Sequence, residues 1–270
     1  MNRKYLNLRW WWETLEETAT TCRAQIGFKP EVIDKQVEDV RCKFFISNPT
    51  ARVWYGEGSS SSSIELRFVR DHILKPGTKV IECGVHHGLE TILLSRWVGR
   101  DGIVYACEAM PENIKVIERN LELNELRNVN VINKAVGPRA GKIAFRKKSN
   151  SAPMGDRWGR GIEVDMITID ELCEAENLRP DFLMIDVEGF EVDVLEGAPR
   201  TLGHTPALLI EIHPPQMEHF NRTVEQLWDL IDTSRYQLWH QPHHMADVRR
   251  IDGPIPITDR SHIFCIPSAH

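Results

Sequence analysis

Lys79-Val-Ile-Glu-Cys-Gly-Val-His-His-Gly88 decides the reading of this chain. A short apolar strand runs into an acid, a glycine, three residues and a second glycine. The amphipathic segment Leu89 to Val98 follows at once. Gly84 and Gly88 carry no Cβ, so the turn can tighten and aim free helix N–H groups at a ligand. About twenty residues on, Ile103-Val-Tyr-Ala-Cys-Glu108 reads as a second strand ending in another acid. A carboxylate placed there accepts hydrogen bonds from both hydroxyls of a ribose. The pair points to a nucleoside-containing cofactor on a parallel α/β sheet.

Outward from this stretch, strand and helix alternate. Strands are predicted at 79–83, 103–108, 129–133, 181–186, 207–212, 235–240 and 262–267, and helices at 88–98, 111–124, 168–176, 189–198 and 223–232. Such alternation implies a doubly wound, mostly parallel seven-stranded sheet. Segments 142–146 and 162–165 read as a short extra ribbon. Gln241 to Ser261 has no helical pattern, so the last two strands are expected to pair as an antiparallel edge hairpin. Ile64, Phe68, Ile73 and Leu74 share one helical face ahead of Pro76-Gly77.

Residues 1–63 differ. Helices are predicted over Trp10 to Cys22 and Glu31 to Lys43, with Phe44 to Tyr55 a strand or loop. Gly56-Glu-Gly-Ser-Ser-Ser-Ser-Ser63 has high backbone freedom and reads as a mobile loop or a lid. The expected organisation is an N-terminal helical extension with its serine-rich loop over 1–63 and a main domain over 64–270.

Composition narrows the function. The chain of 270 residues has a net charge of -6, which argues against nonspecific binding to nucleic acid. No apolar run reaches the roughly 20 residues that span a bilayer, and Met1 to Glu17 has no secretory h-region. The cysteines Cys22, Cys42, Cys83, Cys107, Cys173 and Cys265 are scattered without a Cys-x-x-Cys pair. They read as reduced thiols of a cytoplasmic protein that associates with no membrane.

Ligands of an open parallel sheet bind at the carboxyl ends of its strands. Those ends here carry Glu82-Cys83-Gly84, Glu108, Asn133-Lys134-Ala135, Asp186-Val187-Glu188-Gly189 and Glu211-Ile212-His213-Pro214. A nicotinamide dehydrogenase would need Gly-x-Gly-x-x-Gly, and Gly84-x-x-x-Gly88 lacks it. No Gly-Lys-Ser/Thr follows the turn, so a P-loop is excluded. His240, His243 and His244 lack a fourth ligand at zinc spacing and read as a solvated loop. With Arg249, Arg250, His86 and His87, that loop is a candidate wall of an acceptor pocket. Trp10-Trp11-Trp12 reads as buried against the domain or at a homodimer interface.

Glu82-x-Gly84-x-x-x-Gly88 followed by Glu108 resembles the cofactor site of class I S-adenosylmethionine-dependent methyltransferases. Thr168-Ile-Asp-Glu-Leu172, Asp181-Phe-Leu-Met-Ile-Asp-Val-Glu-Gly-Phe-Glu191, Val194-Leu-Glu-Gly-Ala198 and Leu208-Leu-Ile-Glu-Ile-His-Pro214 are similar to the FkbM methyltransferase family. The resemblance runs from about Ile64 to Pro267. Val85-His86 stands where that family has Ala-Asn, Glu82 where it has aspartate, and Glu108-Ala109-Met110-Pro111 where it has Glu-Pro-x-Pro.

The resemblance implies the roles of particular residues. Glu82 and the backbone of Gly84, Val85, His86 and Gly88 would hold the methionine part of the cofactor. Glu108, with Ala109 after it, would bind the ribose hydroxyls. Asn133, Lys134 and Ala135 would lie beside the adenine, with Met110 on its face or in the core. Asp186 would sit near the transferred methyl. His213, sharing a strand face with Glu211, is expected to act as general base toward an acceptor hydroxyl. Alternatively, Asp186, Glu211 and His213 would hold a divalent metal such as magnesium against that oxygen, although magnesium prefers oxygen ligands to histidine. The expected reaction is O-methylation of a small-molecule acceptor, a sugar or natural-product intermediate. N-methylation and a non-catalytic cofactor-binding partner protein are the alternatives. A nucleic-acid substrate is disfavoured by the absence of Asn/Asp-Pro-Pro-Tyr/Phe and of a basic phosphate track.

Overall fold

The computed structural model describes residues 28–56, 63–146 and 161–268. Trp10-Trp11-Trp12, the helix expected over Trp10 to Cys22 and the serine run as far as Ser62 lie outside these residues.

The described chain opens with a hairpin of β1 (Glu31–Val37) and β2 (Val40–Ile46), paired in full register from Glu31↔Ile46 to Val37↔Val40. The helix expected over Glu31 to Lys43 is therefore corrected. Val40, Cys42, Phe44 and Ile46 are buried at every second position, which is the period of a strand. Glu38 turns the chain with φ +50°, as a two-residue hairpin loop requires. Helix α1 (Pro49–Tyr55) follows, started by Asn48, whose Oδ1 accepts from the Ala51 N–H at 2.9 Å, and by Pro49 in the first turn. Helix α2 (Ile64–His72) is capped likewise by Ser63.

The main sheet takes β3 (Lys79–Cys83), β4 (Ile103–Cys107), β5 (Val129–Ile132), β9 (Phe182–Ile185), β10 (Ala207–Ile212), β11 (Tyr236–Gln241), β12 (Arg249–Ile251) and β13 (Ser261–Pro267). Their order is β12-β11-β13-β10-β9-β3-β4-β5. The run from β10 to β5 is parallel, whereas β13, β11 and β12 pair antiparallel. The expected edge hairpin of β11 and β13 is present. The expected count of seven strands is corrected to eight, because Arg249–Ile251 adds an outer strand inside the connection read as a loop. A separate three-stranded sheet holds β6 (Ala135–Val136), β7 (Gly141–Arg146) and β8 (Gly161–Ile167) in the order β6-β8-β7. It contains the expected ribbon.

The remaining helices are α3 (Leu89–Val98), α4 (Pro111–Leu123), α5 (Ile169–Ala175), α6 (Glu191–Glu196), α7 (Pro199–Gly203), α8 (Pro214–His219) and α9 (Val224–Asp229). They cover both faces of the sheet. Ile81, Cys83, Leu183 and Ile185 pack with α5, α6 and α9 on one face. Val80, Phe182, Met184 and Leu209 pack with α2, α3 and β2 on the other. Burial on both faces explains why these strands are apolar without alternation. The hairpin is also tied to α4. Asn120 Oδ1 accepts from the Phe45 N–H at 2.7 Å, and Asn124 bridges both the N–H and the C=O of Lys43. Two amide side chains thus take the place of a neighbouring strand at the edge of β2.

Candidate active site

Strands β3 and β4 lead one way across the sheet, and β9 and β10 the other. The crevice outside their carboxyl ends is the topological switch point where such sheets bind ligands. The turn after β3 is built for close approach. Gly84 has φ +93°, and a Cβ there would stand 1.7 Å from the Asp186 carbonyl oxygen. Its N–H donates to the Cys107 carbonyl and the Asp186 N–H to the Cys83 carbonyl, so β4, β3 and β9 are laced together at this point. His86 also lies in the left-handed region, at φ +53°. Asparagine, the family residue at that position, enters this region readily.

The carboxylate of Glu108 organises the turn. Oε2 accepts from the His86 N–H at 2.8 Å and Oε1 from the Met110 N–H at 2.7 Å. Burial nevertheless pushes the group up to about 7, against these hydrogen bonds. Behind the turn, Glu82 Oε2 accepts from the Thr91 hydroxyl at 2.7 Å, while Oε1 is buried with no hydrogen-bond partner among the described residues. Its burial raises it to about 8.

A cavity of about 610 Å³ opens above this turn. Of the candidate site residues singled out in the sequence, Gly84, His86, Glu108, Ala109, Lys134, Ala135, Asp186, Val187, Glu188, Glu211 and His244 border it, whereas Glu82, Val85, His87, Gly88, Met110, Asn133, His213, His240, His243, Arg249 and Arg250 do not. Val85 packs with Ala106, Ile117 and Leu121, and Gly88 is the left-handed N-cap of α3. Met110 packs with Ala135, Phe145 and Met166, which makes it core. Asn133 donates to the carbonyls of Glu108 and Ala109 and so ties down the loop.

Several wall residues were missed by sequence reasoning. Tyr55, from the end of α1, places its hydroxyl 2.6 Å from His86 Nδ1. Burial and nearby acids hold the phenol well above its ordinary range, so it keeps its proton and donates. Burial and the neighbouring His87 push His86 down to about 3. The ring is neutral and Nδ1 accepts. His86 stacks on His87 with centroids 4.0 Å apart. The legible signal for Tyr55 was Asn48-Pro49, an N-cap and first-turn proline that start α1.

At the opposite side of the cavity stands a cluster of acids around His213. The ring is 1% exposed and does not border the cavity. His213 Nδ1 lies 2.8 Å from Glu191 Oε1, and Nε2 lies 3.7 Å from Asp186, 3.8 Å from Glu188 and 3.9 Å from Glu211. Burial disfavours the charged ring, yet the Glu191 hydrogen bond and the surrounding carboxylates outweigh it and raise His213 to about 9. Asp186 is itself raised well above the usual carboxylate range, first by burial and then by the charge of Glu211. Its Oδ1 has no hydrogen-bond partner among the described residues. Glu211 is held low despite burial, because His262 and Arg260 bind its two oxygens.

These residues fit a cationic, nucleoside-bearing cofactor. The Gly84 cradle leaves no room for a Cβ, and the carboxylates of Glu108 and Asp186 both border the cavity beside it. The cavity wall carries Glu65, Glu90, Glu108, Asp186, Glu188 and Glu211 against Lys35, Lys134 and Arg260. The excess of acids suits a sulfonium and an ammonium group.

Fold and site together define a class I methyltransferase arrangement. A family model described as the methyltransferase FkbM domain matches residues 82–238, more than half of the chain, and the chain belongs to that family. The protein-L-isoaspartate O-methyltransferase of Methanothrix thermoacetophila is 39% identical over 59 residues, which are 22% of this chain and 28% of that relative. The match therefore spans under a third of the relative's length. A solved SAM-dependent O-methyltransferase of Thermotoga maritima is 16% identical with a TM-score of 0.46, covering 89% of this chain and 78% of that one. An rRNA methylase of Streptococcus thermophilus is 12% identical with a TM-score of 0.46, covering 76% and 94%. Among the described residues no helix is long and apolar enough to cross a membrane.

Proposed function

We propose that this chain transfers a methyl group from S-adenosylmethionine to a hydroxyl of a small molecule, a sugar unit or natural-product intermediate. One observation carries the reading: a single cavity joins the Gly84–Glu108 turn to Asp186 and Glu211 at the ends of the neighbouring strands. The bound cofactor supplies an electrophilic methyl on a sulfonium. Glu108 holds the ribose hydroxyls, Lys134 and Ala135 flank the base, and the Gly84 backbone lies under the methionine part. The division into an extension over 1–63 and a catalytic domain from residue 64 belongs to the same proposal, with α1 contributing Tyr55 to the catalytic domain's cavity.

Proton removal falls to Asp186 rather than to His213. A base must be free of its proton, and His213 is held protonated near neutral pH. Asp186 borders the cavity, which His213 does not, and in its ionised form it can take a proton from an acceptor hydroxyl placed there. His213 is then a positioning residue whose charge keeps Asp186, Glu188, Glu191 and Glu211 together. Magnesium between Asp186 and Glu211 fits less well. His213 shares their cluster, and the positive charge a cation would bring is already supplied there by Arg260 and the protonated ring.

The test is a panel of hydroxylated and amino acceptors, read by product mass and by release of the demethylated cofactor. O-methylated product is expected, with turnover lowered about 100-fold or more in Asp186→Asn. His213→Gln should lower turnover and move the pH profile, with Km for the cofactor little changed. Methylation of amines alone, or full O-methylation by Asp186→Asn, would sink this assignment.

Cofactor binding should also depend on pH. Glu108 lies at about 7, and Glu90 is pushed up to about 8 by burial and the charge of Glu82. Both are partly protonated at pH 7 without ligand. A cationic ligand favours their ionised forms, so binding releases protons and affinity rises from pH 6 to pH 8, by at most about tenfold per unit for each group. Calorimetry in buffers of different ionisation enthalpy measures the sign directly, and net proton uptake would refute it.

A further inference from the structure

We infer that Glu65, His244 and His262 form a binding site for one divalent transition-metal ion in the wall of the same cavity. The three come from distant elements: the first turn of α2, the loop after β11, and β13. Each offers one ligand atom, and these atoms lie within 4.8 Å of one another. All three residues border the cavity.

The state of the side chains points to a missing partner. His262 is 4% exposed and its Nδ1 is buried without a hydrogen bond among the described residues. The Glu65 Oε2 atom is buried and unpartnered as well. Leaving a polar atom so placed costs about 1–3 kcal/mol unless something binds it. The other face of His262 is already provided for, since Nε2 lies 3.5 Å from Glu211 Oε2. A carboxylate behind an imidazole fixes the ring and raises its basicity toward a metal on the opposite nitrogen. Arg260 is paired with Glu211, so its charge is compensated beside the ion.

Two imidazoles and one carboxylate suit zinc, manganese, iron or cobalt better than magnesium or calcium, which prefer oxygen. Bonds of about 2.0–2.2 Å place tetrahedral donors roughly 3.3–3.6 Å apart. His244 lies on the exposed side of the cluster, so an inward swing of its side chain closes the remaining gap. Three protein ligands leave coordination positions open toward the cavity, so the ion would take an oxygen donor there. The site does not depend on the methyl-transfer reading.

Cobalt titration of the chelator-treated full chain tests this, followed by visible d–d absorption and by metal-to-protein ratio. One equivalent is expected to bind with a histidine-type spectrum. His244→Ala and Glu65→Gln should each weaken binding by about 100-fold, with unchanged melting in the absence of metal. Asp186→Asn should retain the ion, which separates this site from the Asp186–Glu211–His213 cluster. No cobalt in the wild-type protein, or binding unaffected by both His244→Ala and Glu65→Gln, overturns the site. So does an ion lost in Asp186→Asn but kept in His244→Ala.

Discussion

Glu108→Ala is expected to weaken S-adenosylmethionine binding by about 100-fold or more. Two charge-assisted hydrogen bonds to the ribose, at roughly 1.5–3 kcal/mol each, would be lost. The same change strands the N–H groups of His86 and Met110, which donate to this carboxylate at 2.8 and 2.7 Å. Thermal stability should therefore fall too, by about 1–3 kcal/mol for each donor left unpaired and buried. Glu108→Gln is no conservative control. Its amide would turn an N–H₂ toward one of two backbone donors, leaving one of them unmatched. Calorimetric titration with the cofactor and its demethylated product measures the first effect, and thermal melts the second. Wild-type affinity in Glu108→Ala would remove the cofactor site from this turn.

Gly84→Ala should be the most damaging glycine-to-alanine change among the described residues. The new Cβ would stand 1.7 Å from the Asp186 carbonyl oxygen, a backbone atom that cannot swing away. Strand β9 would have to part from β3 at the point where the Asp186 N–H donates to Cys83. Overpacking of this kind costs about 1–3 kcal/mol or more, and the left-handed backbone adds about 1–2 kcal/mol. Gly77→Ala separates the two terms. Gly77 has a similar φ of +90°, but nothing lies within 4 Å of its Cβ position. Melting should drop by roughly 2–4 °C per kcal/mol in a chain of this size. Gly84→Ala should fall well below Gly77→Ala and lose cofactor binding, whereas Gly77→Ala should bind normally. Equal melting shifts would mean that close approach to Asp186 plays no part.

Most of the strands and helices after residue 79 were legible because they have a clear period or cap, whereas the short helices Pro199–Gly203 and Pro214–His219 and the strand Arg249–Ile251 are too brief to show one. Lys79–Cys83 and Ala207–Ile212 are short apolar runs between turns, and Pro111 and Thr168 open helices at recognisable caps. The hairpin at residues 31–46 was not legible as such. Charged residues are interleaved through it, and they mimic the polar face of a helix. Only the strict alternation of Val40, Cys42, Phe44 and Ile46 betrays the strand. At the site, the strand ends named the acids correctly as neighbours, since topology brings all carboxyl ends to one crevice. The protonation of His213 was not readable, because it is set by Glu191, on the helix after a different strand. The meeting of Glu65, His244 and His262 was equally hidden. It depends on β13 returning between β10 and β11.

The central pairing of β3 with β9 bears on how the chain is made. Val80 lies opposite Phe182 and Cys83 opposite Ile185, while β4 and β5 follow β3 closely in sequence. On the ribosome, β3 can therefore join β4 and β5 early, but its other edge stays bare until roughly a hundred more residues emerge, and so distant a closure is slow. That edge is apolar on both faces and would template association with another nascent chain. The bare edge also floors the crevice in which the cofactor is proposed to lie. On that proposal, the edge exposed to aggregation during synthesis is the one that the finished molecule puts to use in holding its ligand.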